Sequence, residues 1–196
     1  MSHNILLLTW DNSSKAYEAY SQVKNQITDN VYQLAVIERQ TDGQLKVNDG
    51  YSYTAGNNTI GGGLVGTLIG ILGGPLGMLL GFSTGALIGS LVDIDDAGTD
   101  EAVLTEISKL LPLGSTGLLI DLEEQDESVT DSILRGSGGA IYRWDYDVVE
   151  AEVEASIEAW EQANKEANKI LKEQRKEENK QKRQQKWSEF KAKFKK

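Results

Sequence analysis

Cysteine is absent from the 196 residues, which excludes disulfides, thiolate metal ligands and a cysteine nucleophile. Histidine occurs once, as His3, with no cluster nearby in the sequence for a metal or a nucleophile–base pair, so it reads as ordinary surface. Proline occurs only at Pro75 and Pro112. Two local absences say more. Residues 50–92 contain no Asp, Glu, Lys or Arg, and residues 147–196 contain no Gly or Pro. The first excludes an ordinary solvated surface for that stretch; the second permits one long helix.

Charge is present elsewhere and polarised. Residues 164–196 hold 13 Lys/Arg against 5 Asp/Glu, a net +8, whereas the rest of the chain carries −18. An acidic body with a basic tail points to a separate partner for the tail. Ile5 to Leu8 has no basic lead-in and is followed by Asp11, which predicts a short buried strand and not a signal peptide.

The uncharged stretch is glycine-rich in a regular way. Gly62, Gly66, Gly70 and Gly74 step by four, and Gly77, Gly81, Gly85 and Gly89 repeat the step after a shift of three. Each set lines one helical face with residues that let another backbone approach closely. Leu64, Val65, Leu68, Ile69 and Leu72 clothe the other side of the first arm; Leu76, Leu79, Leu80, Leu87 and Ile88 do so for the second. Interior glycines cost about 0.5–1 kcal/mol each against Ala, so only close packing or lipid offsets eight of them. A single helix from Ile60 to Val92 would reach about 50 Å, well beyond an apolar bilayer core of about 30 Å. Gly73-Gly74-Pro75 instead predicts a break, leaving two arms of about 21 Å, short for a crossing. The reading is a glycine-zipper hairpin, re-entrant in a membrane or buried in a homo-oligomer. A hairpin buried in the protein's own core is the bland reading, against which a small sandwich offers little core.

Around the hairpin, Asn4–Thr9 reads as a strand, followed by N-cap chemistry at Asp11, Asn12 and Ser13 and a helix with Ala16, Tyr20, Val23 and Ile27 on one stripe. Val31–Ile37 predicts a central strand, with Asp42-Gly43 turning into a partner over Leu45–Tyr53. Thr99 caps a helix that buries Val103, Leu104, Ile107, Leu110 and Leu111 and ends at Pro112. Thr116–Leu122 predicts another strand, Glu127–Leu134 a short helix, and Ala140–Tyr146 a last strand with Tyr142, Trp144 and Tyr146 on one face. The first six elements outside the hairpin follow the order of a ferredoxin-like sandwich. The expected fold is therefore α+β: a ferredoxin-like domain over 1–54 and 95–146, interrupted by the hairpin at 55–94. A long amphipathic helix over 147–196 follows, striped by Val149, Val153, Ile157, Trp160, Ala163, Ala167 and Leu171, with the stripe lapsing beyond Arg175.

These features resemble the bacterial family catalogued as domain of unknown function 1269, over about residues 4–146. The resemblance rests on the early strand and helix, Gly61-Gly62-Gly63-Leu-Val-Gly66, Gly73-Gly74-Pro75-Leu76-Gly77, the acidic exit Asp93-Ile-Asp95-Asp96, and Leu113-Gly114-Ser115-Thr116 before a strand. It implies α/β halves paired with a glycine-rich hairpin in a predicted membrane protein, and it supplies no catalytic residues. The basic tail is an addition to that core.

Catalytic signals fail on inspection. Asp93 to Leu104 lacks the position-5 ligand and the terminal Glu of a calcium loop, so these acids read as helix-entry charges. Gly136-Ser-Gly138-Gly139 has neither the Lys nor the helix of a phosphate loop. Glu123 and Glu124 read as solvated. No cofactor or metal is called for. In the tail, Lys186, Trp187, Phe190, Lys191, Phe194 and Lys195 form a basic, aromatic patch that suits an anionic lipid surface. Nucleic acid would use the same charges, with Trp187 as a stacking surface. The expected function is a non-catalytic, self-assembling protein on the cytoplasmic side of the cell membrane or inserted through its hairpin. The alternative is a soluble oligomeric platform whose tail binds nucleic acid or another anionic partner.

Overall fold

A computed structural model describes residues 1–10, 12–27, 30–53, 62–74 and 102–193, with side chains through Trp187. Gly77, Gly81, Gly85 and Gly89, the Pro75 break, the acidic exit at Asp93–Asp96, the Thr99 cap, Phe194 and Lys195 lie outside the described residues. The chain forms two units, Met1–Ser156 and Ile157–Lys196.

The first unit is built on β1 (Ser2–Thr9), α1 (Ser13–Gln26), β2 (Val31–Arg39) and β3 (Leu45–Ser52), then α2 (Gly63–Gly73) and α3 (Val103–Leu110). After these come β4 (Thr116–Glu124), α4 (Glu127–Arg135), β5 (Ala140–Asp145) and the first residues of α5 (Tyr146–Lys193). The five strands form one antiparallel sheet in the order β3-β2-β4-β1-β5. β4 lies between β1 and β2, which α1 connects and which run parallel to each other across it. β3, which immediately follows β2, pairs only at the outer edge, through a turn in which Gly43 takes a φ of 86°. The first six elements outside the hairpin therefore do not make a closed set, because β5 is needed to complete the far side of β1.

Strand alternation gives the sheet two apolar faces. Leu6 and Leu8, Leu34 and Val36, and Leu118, Ile120 and Leu122 pack on Ala16, Ala19, Tyr20 and Val23 of α1 and Leu134 of α4. Asn12 caps α1 through a 3.0 Å bond from the Ser14 amide, and Asp126 caps α4 through a 2.9 Å bond from the Ser128 amide. The opposite face presents Ile5, Leu7, Ala35, Ile37 and Leu119, all fully buried. α2 packs on it, Leu111 after α3 reaches Gly117 beside Leu7, Tyr146 at the start of α5 stacks on His3, and Ile107, Val149 and Val153 are buried.

The buried face of α2 answers the question of how much core the sandwich offers. Leu64, Val65, Leu68, Ile69, Ile71 and Leu72 are all buried, so the apolar side of the first arm is covered by its own domain. Six such side chains contribute roughly 10 kcal/mol of gross burial, against about 2 kcal/mol for the interior glycines Gly66 and Gly70. Packing wins.

α5 begins at Tyr146 and remains helical to Lys193, beyond the point at Arg175 where the apolar stripe lapses. The absence of Gly and Pro and the abundance of Lys, Gln, Glu and Ala account for that continuity. Tyr146 accordingly leaves the last strand, while Tyr142 and Trp144 remain on one face of β5 with ring centroids 6.4 Å apart.

Candidate functional site

The expected packing residues are brought together in part. α2 is held at its N-terminus by Gln33 of β2, a buried side chain whose Oε1 accepts from the Val65 amide at 3.1 Å. Its Nε2 donates to the Gly62 carbonyl at 2.5 Å. Gly62 precedes the helix and has no side chain with which to cap it, so the sheet supplies the cap. With the apolar side fixed, the glycines fall into two kinds. Among the described residues, a Cβ built on Gly62 or Gly70 meets nothing within 4 Å, and both glycines are exposed. A Cβ on Gly73 would overlap the Leu45 backbone, and one on Gly74 would overlap the Gly70 carbonyl. Gly73 is thus required for docking on β3, whereas among the described residues nothing occupies the place of a Gly70 side chain.

A second cluster was hidden from sequence reasoning. His3, expected at a plain surface, lies in β1 with its Nε2 2.7 Å from Oδ1 of Asp121 in β4. The Tyr146 ring stacks on the imidazole at 3.8 Å, and Tyr32 lies tilted at 5.1 Å. Tyr32 donates to Glu123 at 2.9 Å and Tyr146 to Glu150 at 3.3 Å. Burial raises the Asp121 pKa above the usual carboxylate value, with the His3 hydrogen bond and charge pulling the other way. Burial, followed by the charge of Glu150, pushes Tyr146 up to about 12. A His–carboxylate pair can move a proton, but here both tyrosines pack on the ring. The register of β1 on β4, which sets His3 opposite Glu123 and two residues from Asp121, carries no signal in the sequence.

Glu124 is likewise not solvated. β4 extends past its apolar run, and Glu124 ends with a fully buried side chain held by Arg143 of β5 at 2.8 and 3.2 Å and by Asn4 at 2.8 Å. Arg143 also reaches Asp131 at 2.8 Å. A buried carboxylate without such partners would cost several kcal/mol.

A cleft of about 700 Å³ opens at the end of the sheet where β1 stops and β4 and β5 begin. Thr9, Ser13, Ser115, Thr116 and Tyr142 line it with hydroxyls, beside Trp10 and Pro112. Its described lining includes no Asp, Glu, His, Lys or Arg, which leaves hydrogen bonding as its chemistry. Among the described residues no group of three or more His, Asp or Glu converges as metal ligands, and no helix is long and apolar enough to cross a membrane. In the second unit Lys186 and Trp187 lie exposed on α5; Phe190 and Lys191 belong to the same helix.

The architecture defines an α+β protein with a five-stranded antiparallel sheet, helices on both faces and a long C-terminal helix. The chain belongs to the family described as "Protein of unknown function (DUF1269)", whose model matches residues 59–158, a span that includes α2 to β5 and the start of α5. No curated protein and no solved structure matches the chain.

Proposed function

We propose that this protein is a non-catalytic structural component that self-assembles through the glycine face of α2 and associates with the membrane on its cytoplasmic side. The observation that carries the reading is the division of labour on α2. Its leucine side is locked to the sheet, and among the described residues nothing stands where side chains on Gly62 and Gly70 would be. A rigidly held helix presenting bare backbone lets a second helix approach to the short distance at which dispersion and Cα–H···O contacts count. We assign that place to the hairpin arms of neighbouring copies, with Gly77, Gly81, Gly85 and Gly89 supplying the matching surface. The fold reading that accompanies this is ferredoxin-like, with β1-α1-β2-β4-α4-β5 as the repeated halves and β3 with the hairpin inserted between β2 and β4.

Mass measurement in mild detergent is the direct test. The wild type is expected as an oligomer, and Gly70→Leu as a folded monomer with an unchanged circular dichroism spectrum, since Leu favours the helix and its Cβ meets nothing among the described residues. A Gly70→Leu protein that assembles like the wild type defeats the proposal.

One observation favours the second reading, a soluble oligomeric platform with an anion-binding tail: the apolar side of the first arm is already covered by the sheet and is not offered to lipid. A salt-dependent gel shift that disappears on truncation at Asn164 would support it.

A further inference from the structure

The part of α5 in the second unit carries an unfilled heptad stripe. Ile157, Trp160, Asn164, Ala167 and Leu171 alternate steps of three and four, the a and d spacing of a two-helix coiled coil. Trp160 is 39 % and Leu171 51 % exposed, with Ile170 beside them at 54 %. In proteins most helical stability comes from packing an apolar face, not from propensity. The small Asn164 and Ala167 at mid-stripe leave room for a partner backbone, and the large Trp160 and Leu171 lie at its two ends.

The flanking charges say what covers it. Next to the stripe, at seven-residue steps, come Glu161, Asn168 and Arg175, and the same row continues in the sequence to Glu154 before and Lys182 after. The row is acidic on one side of Asn168 and basic on the other. In an antiparallel pair such flanking positions face their own kind across the dyad, so Glu161 of one helix meets Arg175 of the other, twice. In a parallel pair the row faces Ala163 and Ile170 instead and gains nothing. The whole helix has the same polarity: residues 146–161 contain six acids and no base, and residues 165–193 contain eleven bases and five acids. Among the described residues of one chain Glu161 pairs with the exposed Lys165 at 3.4 Å, a weak i,i+4 pair. The family match ends at residue 158, so this segment lies beyond it.

We propose that α5 is a second self-association element, in which residues 157–175 of two copies pair as an antiparallel coiled coil with the dyad near residue 166. Trp160 of one helix packs against Leu171 of the other. This interface is independent of the α2 glycine face.

The chain lacks cysteine, so one spin label on Arg183→Cys, on the solvent side of the stripe, reports orientation in the full-length protein. Antiparallel pairing puts the two labels about 50 Å apart along the axis. A parallel pair keeps them within about 30 Å. The long distance is expected, and it is expected to persist in the Gly70→Leu background and vanish in Trp160→Glu/Leu171→Glu. Arg175→Glu should weaken pairing roughly fivefold, and adding Glu161→Lys to it should restore pairing. A short distance, no defined distance, survival of the long distance in the double stripe variant, or its loss with Gly70→Leu would each overturn the proposal.

Discussion

Single side chains from the sheet govern much of what surrounds it. Gln33 closes the N-terminus of α2 with two hydrogen bonds, so Gln33→Ala should cost about 1–2 kcal/mol of stability, read by urea denaturation with an unchanged m-value. Arg143→Met strands the buried Glu124 and is expected to cost more, about 3–5 kcal/mol. Asp121 gives a pH signature. Its folded-state pKa is raised above that of the unfolded chain, so its contribution favours the fold at low pH and fades as pH rises through the folded value. Asp121→Asn removes that term. The rise in Tm from pH 4 to pH 7 should therefore be larger in the variant than in the wild type, measured by thermal scans at both values.

At the scale of elements, α2 separates two roles that look identical in a list of glycines. Gly73→Ala should destabilise the domain because its Cβ overlaps Leu45. Gly70→Ala should leave the fold intact or stabilise it by about 0.5–1 kcal/mol. Hydrogen exchange of the α2 amides would show the contrast. This pair also marks what the sequence made legible. Apolar periodicity located α1, β2, α2, α3, β4, α4 and the start of α5 because each has a strong internal repeat. What periodicity could not convey was partnership across distance. β3 follows β2 in the chain and stays at the edge, while the strand that enters beside β2 arrives more than sixty residues later. The α3 cap shows the same limit: the Val103 and Leu104 amides bond to the Glu152 carboxylate of α5 at 2.8 and 2.9 Å, a residue far downstream. Asp121 and Glu124 are buried on opposite faces of β4, and which face takes which depends on register, which acidic residues near a strand's end do not announce.

On the scale of the whole molecule, the acidic first part of the chain and the basic end of α5 set its relation to surfaces. If the tail patch of Lys186, Trp187 and its neighbours engages anionic lipid, flotation with vesicles containing a fifth phosphatidylserine should recover the full chain at low salt. Truncation at Asn164 should abolish that recovery, and raising salt from about 50 to 500 mM should reduce it severalfold, as expected for screened charges. Recovery of the truncated chain would place lipid contact in the hairpin instead.

Strand pairing has a consequence for how the chain is made. β1 hydrogen-bonds to β4 with Ser2 opposite Glu124, so the centre of the sheet cannot close until the whole of β4 has been synthesised. The apolar arm of α2 leaves the ribosome earlier by about 50 residues, which at 5–20 residues per second amounts to roughly 3–10 s. During that interval its leucines have β2 and β3 beside them but no β4 to complete the sheet beneath. The nascent protein therefore passes through a stage in which this apolar arm has only part of its cover, and whatever captures it then, a chaperone or a bilayer, competes with the fold that later shelters it.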